Sequence, residues 1–233
     1  MTVFLCALLS AAPALRAADA PLDLTAIRQR AENGDVEAQN VLGNNLAQAR
    51  DYTGAVSWYQ RAAAKGFAPA QFNLGLAYEL GRGVAADEKQ AFASYLRAAE
   101  QGFPVAQFNV GNMYATGRGV AKDDFEASIW FKAAAERGLA EAQYNLGLIY
   151  EAGRGLRKDE ATAARWYQTA AEQGYARAQY NLGLLYEDGR GVKQDDTAAV
   201  RFYRMAALQG FAPAQNNLGL LYVTGRGGLP ADP

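Results

Sequence analysis

The sequence predicts an all-α solenoid, and three observations predict it. The first is an internal repeat: NLGLAYELGRGV from Asn73 returns as NVGNMYATGRGV from Asn109, NLGLIYEAGRGL from Asn145, NLGLLYEDGRGV from Asn181 and NLGLLYVTGRGG from Asn217, always 36 residues apart. A fixed period of that length marks a repeat architecture in which each unit buries its apolar face on its neighbour. The second is helical spacing. Ala55, Trp58, Tyr59, Ala62 and Ala63 fall at i, i+3, i+4, i+7 and i+8, and the same offsets recur as Ala163, Trp166, Tyr167, Ala170 and Ala171, which describes one buried stripe per helix. The third is punctuation. Each of these helices meets a glycine at one offset (Gly66, Gly102, Gly138, Gly174, Gly210), where a left-handed C′ residue closes a helix.

Taken in order, the chain opens on MTVFLCALLSAAPALRAADA, an apolar run from Val3 to Leu15 followed by small residues. Residues 1–20 are therefore expected to be a secretory signal peptide, too short to span a bilayer. That places the mature chain in a bacterial periplasm or outside the cell, with no integral membrane span. The only cysteine, Cys6, lies inside this segment, so the mature chain carries no disulfide. A leading helix is expected within 21–34. The solenoid is expected over 35–227 as five helix pairs and an unpaired sixth first helix. Residues 228–233 repeat the loop chemistry, since Asp232-Pro233 is an N-cap followed by a proline suited to N1. The helix does not follow, so this end is expected to be a truncated loop. It would leave an uncapped last repeat with Leu218, Leu221 and Tyr222 as apolar surface through which copies could self-associate.

Within a repeat, the second helix begins at Asp87, Asp123, Asp159 or Asp195, where an N-cap accepts backbone N–H bonds. The first helix carries a glycine in its interior, as at Gly75, Gly111, Gly147 and Gly183. Such a glycine costs about 1 kcal/mol against alanine. Its return implies close helix approach, with an aromatic from the partner helix filling the space. In Gly-Arg-Gly the glycines supply the positive φ of a tight turn, and Arg82, Arg118, Arg154, Arg190 and Arg226 form a ladder at the loop tips. These arginines are expected to bond helix-end carbonyls or neighbouring acids; an anion-binding edge is the alternative.

Composition narrows function. Half of the residues are apolar, one fifth are charged, and 23 lysines and arginines nearly balance 24 acids, so nothing gathers phosphates and no nucleic-acid partner is expected. The chain has no histidine and no cysteine after residue 6. That removes the usual metal ligands, the Ser-His-Asp and Cys-His arrangements and the commonest general base, so no metal or cofactor is expected. Asp123-Asp124 and Asp195-Asp196 are the acid pairs open to nomination as catalytic, but both start a helix and are expected to cap it.

The segment AQYNLGLLYEDGRGVKQDDTAAVRFYRMAALQG, Ala178 to Gly210, resembles a Sel1-like repeat, and the resemblance spans Gly34 to Gly227. Such repeats are similar to tetratricopeptide repeats with a longer loop inside the repeat. The first repeat departs from the pattern, having no Gly-Arg-Gly and a spacing of 32 from Gln39 to Gln71. The resemblance implies a right-handed α/α solenoid whose first helices line a concave face for a protein or peptide. On it, Asn73, Asn109, Asn145, Asn181 and Asn217 would grip a peptide backbone, while Phe72, Phe108, Tyr144, Tyr180 and Asn112 supply side-chain specificity. The alternative is that the asparagines bond backbone of their own or the next repeat and the aromatics pack on neighbouring helices. Cysteine-rich relatives linked to β-lactams carry paired cysteines that this chain lacks. The function expected is a non-catalytic, exported interaction scaffold; the alternative is an envelope enzyme acting on cell-wall or β-lactam-like substrates.

Overall fold

A computed structural model describes residues 23–228. The expected signal peptide and nearly all of the closing loop lie outside the described residues. Twelve helices follow one another with no strand among the described residues: α1 Leu24–Glu32, α2 Val36–Gln48, α3 Tyr52–Ala64, α4 Ala68–Leu80, α5 Glu88–Glu100, α6 Pro104–Thr116, α7 Asp124–Glu136, α8 Ala140–Ala152, α9 Glu160–Glu172, α10 Ala176–Asp188, α11 Asp196–Leu208 and α12 Ala212–Thr224. A short 3-10 turn, Arg226–Gly228, comes last. Each helix packs against its neighbours in sequence, which is what stacked helical hairpins require. From α2 onward the even-numbered helices open a repeat and the odd-numbered ones close it. None is long and apolar enough to cross a membrane.

The helix boundaries follow from capping. Asp87, Asp123, Asp159 and Asp195 each accept backbone N–H bonds from the first turn of their helix, satisfying donors that would otherwise lack partners. At the far end of α5, Gly102 (φ 82°) donates to the Ala99 carbonyl, and Phe103 donates to Ala98 at 3.1 Å. That is a Schellman closure, and it leaves Phe103 as the N-cap of α6.

The core is a chain of clusters, one per junction, built mainly of alanines that let helices approach. Ala163, Ala170, Ala171, Ala178 and Tyr167 are essentially inaccessible. The interior glycine of each first helix lies under the aromatic of its partner. A Cβ at Gly75 would stand 2.6 Å from the Tyr95 ring, and one at Gly183 2.6 Å from Tyr203. At Gly219 the space is open. The sixth first helix differs from expectation in which face it exposes: Leu221 is 2% exposed against α11, whereas Leu220 and Val223 are 65% and 61% exposed. Leu221 points into the preceding pair, so the open apolar face lies one residue to its side.

The second glycine of Gly-Arg-Gly has a steric role as well as a conformational one. At Gly119 and Gly191 (φ 67° in both) a Cβ would collide with the carbonyl of Glu88 or Glu160, the residue that opens the preceding repeat's second helix. The loop of each repeat is thereby pressed onto a helix end of the one before.

Candidate functional site

The five asparagines occupy equivalent positions on α4, α6, α8, α10 and α12 and are all half-buried. Most are engaged across a repeat boundary. The Asn73 amide donates to Asn40 Oδ1 at 2.9 Å and Asn44 Oδ1 at 3.1 Å. Asn109 approaches the hydroxyl of Tyr95, Asn181 those of Tyr144 and Tyr167, and Asn217 that of Tyr203. Asn145 is the exception, because the residue that would offer it a hydroxyl is Phe131. Among the described residues neither the Asn145 side chain nor that of Asn112 makes a hydrogen bond, and both are half-buried. Asn145 and Asn112 are two repeats on from Asn73 and Asn44, a pair that does bond.

The aromatics beside the asparagines pack. Phe72 is 4% exposed, with ring centroids 5.5 Å from Tyr95 and 5.3 Å from Phe103. Phe108 lies 5.7 Å from Phe131; Tyr144 contacts Tyr167 and Tyr175; Tyr180 contacts Tyr203 and Phe211. Phe108, Tyr144 and Tyr180 keep part of their surface exposed, whereas Phe72 offers almost none.

A clamp that helical periodicity does not predict joins the repeats. Tyr95, Tyr167 and Tyr203 donate to Glu79, Glu151 and Glu187 at 2.6, 2.6 and 2.7 Å. The arginine of the following loop reaches back to the same glutamate: Arg118 to Glu79 at 3.0 Å, Arg190 to Glu151 at 2.8 Å and Arg226 to Glu187 at 3.1 Å. Arg118 and Arg226 also bond the acid that opens the preceding second helix, Glu88 or Asp196. The arginine ladder thus pairs with acids at three of its five rungs. Each exposed pair is worth little alone, about 0–1 kcal/mol, so the buried tyrosine hydroxyl is the part with most at stake. The signal was legible as paired change inside the sequence, because Glu79/Tyr95, Glu151/Tyr167 and Glu187/Tyr203 become Ala115/Phe131 together.

Burial, joined by the adjacent glutamate, pushes the hydroxyls of Tyr95, Tyr167 and Tyr203 far above the ordinary tyrosine range; burial alone takes Tyr59 up to about 12. A phenol whose folded value is raised stays protonated in the fold while the unfolded chain ionises near pH 10. Its stabilising effect is therefore complete below pH 10 and drains away above it. In a spectrophotometric titration followed alongside ellipticity, these four tyrosines are expected to ionise only as helical ellipticity is lost. Full tyrosinate absorbance with ellipticity intact would contradict this.

A second ladder also went unpredicted. Gln39, Gln71, Gln107, Gln143 and Gln179 are buried, and each amide donates to a carbonyl near the end of the preceding helix, as Gln143 does to Ala135 at 3.1 Å. Gln101, Gln173 and Gln209 in turn donate to the side-chain oxygens of Gln71, Gln143 and Gln179. Arg137 stands in the corresponding place for Gln107, whose Oε1 has no partner. The Ala-Gln pair that returns ahead of each asparagine was the available signal.

The acid pairs considered for catalysis cap helices. Asp123 accepts from the Phe125 and Glu126 amides and Asp195 from Ala198, while Asp196 is held by Arg226. Among the described residues no group of three or more histidine, cysteine, aspartate or glutamate side chains is placed to hold a metal ion.

The Sel1 repeat family model matches residues 36–67, 68–103, 104–139, 140–175, 176–211 and 212–233. The chain belongs to the Sel1 repeat family. This Sel1 repeat chain superposes on a protective antigen of uropathogenic Escherichia coli with an SLR fold at a TM-score of 0.88 and 38% identity, covering 91% of this chain and 46% of that one. It matches a Sel1 repeat protein from Oxalobacter formigenes at a TM-score of 0.79 and 38% identity, over 83% and 79% of the two chains. A curated relative, the DAP3-binding cell death enhancer 1 of Rattus norvegicus, is 40% identical over 68 residues. That match spans 29% of this chain and 13% of the relative.

Proposed function

We propose that this Sel1 repeat chain is a non-catalytic scaffold that binds a protein or peptide along the face formed by its first helices, and that it acts after export to a bacterial periplasm or cell exterior. The observation that carries the reading is the pair Asn112 and Asn145. Both are amides with surface exposed and no hydrogen bond at home; the other members of the Asn145 row are bonded across repeats, and Asn112 stands one helical turn from Asn109 in that row. An amide presents a donor and an acceptor together, which suits the backbone of an extended segment. Tyr144 and Tyr180 add aromatic surface beside them, the kind of anchor on which binding energy concentrates. Asn73, Asn109, Asn181 and Asn217, with Phe72 and Phe108, support the same face chiefly by holding its shape. Glu79, Glu151 and Glu187 on this face are tied to tyrosine and arginine, and Asp123 and Asp195 cap helices, which favours binding over catalysis.

The test separates fold from recognition. Asn145→Ala should move the melting midpoint little, since it removes no bond formed at home, and should weaken a partner recovered by pull-down on the order of tenfold or more. Tyr144→Ala should lower both stability and affinity, having lost its packing on Tyr167 and Tyr175. Affinity unchanged in Asn112→Ala, Asn145→Ala and Tyr144→Ala alike would remove this face from consideration.

A further inference from the structure

At the first junction between repeats the arginine has lost both of its acids. At three of the four later junctions the Gly-Arg-Gly arginine reaches Glu79, Glu151 or Glu187 on the preceding first helix, and Arg118 and Arg226 also bond the acid opening the preceding second helix. The helices α2 and α4 are both 13 residues long and 32 residues apart, and α3 and α5 are 13 residues long and 36 apart. The two acidic positions at the first junction are therefore Ala47 and Tyr52. Arg82 is exposed and has no acidic partner among the described residues; its guanidinium lies 5.5 Å from the centroid of the Tyr52 ring. Where the carboxylate would sit there is a cavity of about 130 Å³, lined by Ala47, Tyr52, Tyr59, Asn73 and Arg82 with Val56 and Leu76 among its apolar walls. A single water needs only about 10–15 Å³ of such space.

We propose that this cavity binds a ligand carboxylate carried on a short aliphatic stem, with Arg82 as its charge partner and Tyr59 and Asn73 at its flank. The neighbouring repeats show what such a space accepts. In three of them a glutamate carboxylate at the end of two methylenes takes a bond from a tyrosine and another from the following arginine. The first junction keeps the tyrosine of the first repeat and the arginine of the second but lacks the acid, and the Tyr59 hydroxyl turns instead to Asn44 Oδ1 at 2.9 Å. A guanidinium with no acid beside it is suited to a carboxylate, which it can bond through two parallel N–H groups. The apolar walls favour a stem of methylenes over a compact inorganic anion. The other vacancy is less complete: Ala115 leaves Arg154 without its glutamate, but Phe131 removes the hydroxyl as well. This site does not depend on the partner-binding face, since it asks only for a carboxylate and a stem, free or borne on a peptide.

The test is a nitrogen-15 NMR titration of the full chain with three probes: N-acetylglutamate α-amide, butyrate, and N-acetylglutamine amide as the neutral control. The expected result is saturable shifts at the Arg82 Nε–H and the Asn73 side-chain amide with one or both carboxylates, and none with the control. A preference for the acetylated probe identifies a peptide side chain as the source, and a preference for butyrate a free acid. Arg82→Gln should weaken binding at least tenfold. Ala47→Glu should abolish it by filling the cavity from within, in a protein that melts no lower than the parent. The proposal is overturned if neither carboxylate saturates, if the neutral control binds equally, if shifts at Arg154 match those at Arg82, or if affinity survives in both variants.

Discussion

Tyr167→Ala is expected to destabilise the chain by about 3–5 kcal/mol, the range for emptying a buried aromatic site. The ring is wholly inaccessible, lies over Gly147 and packs on Tyr144 at 5.7 Å, so the surrounding helices have no side chain ready to collapse into the space. Tyr167→Phe keeps that packing and removes the hydroxyl's bond to Glu151 and its contact with Asn181, for about 1–2 kcal/mol, while Glu151 retains Arg190. Glu151→Ala leaves the proton of a buried hydroxyl without its acceptor and should cost about 1–3 kcal/mol. The double variant, Tyr167→Phe with Glu151→Ala, recreates what the third repeat has at Phe131 and Ala115. It should be less destabilised than the sum of the singles by about 0.5–3 kcal/mol, because one interaction is lost once and not counted twice. Denaturant melts of the four proteins measure this directly. Strict additivity would show that the tyrosine and glutamate are adjacent without being coupled.

Gly183 and Gly219 occupy the same place in the repeat, yet alanine is expected to act on them with opposite sign. At Gly183 a new Cβ would stand 2.6 and 2.7 Å from two atoms of the Tyr203 ring. That ring is fixed by Tyr180 and by its bond to Glu187. Overpacking of this kind costs about 1–3 kcal/mol, which outweighs the roughly 1 kcal/mol that alanine gains in a helix. Gly183→Val should be worse still, having more volume and a stiffer side chain. At Gly219 nothing lies within 4 Å, so only the helix preference acts and Gly219→Ala should stabilise by up to about 1 kcal/mol. Thermal melts of the three variants decide it. A stabilising Gly183→Ala would mean the helices can separate at no cost, contrary to the close approach that the glycine permits.

Much of this protein follows from local rules that a sequence carries on its face. Helix positions came from apolar spacing, helix starts from Asp87, Asp123, Asp159 and Asp195, and helix ends from glycines that alone adopt positive φ without strain. The close approach at Gly75 and its equivalents was legible too, since a glycine kept inside a helix at a cost points to a neighbour that leaves no room for a Cβ. The sequence also contained the change of Glu and Tyr to Ala115 and Phe131, although their distance of 16 residues gave no reason to join them. Only the stacking of hairpins places a glutamate of one helix, a tyrosine of its partner and an arginine of the next repeat around one buried hydroxyl. The same holds for the buried glutamines, which look like ordinary polar residues until the preceding helix end is brought over them. It holds for Arg82, whose missing partners are apparent only once Ala47 and Tyr52 are known to be its neighbours. Periodicity fixes which residues share a helix face because that depends on backbone geometry alone. Which side chains meet across faces depends on helix offset and loop length, and the four residues missing from the first repeat accompany a cavity where its neighbours have a carboxylate.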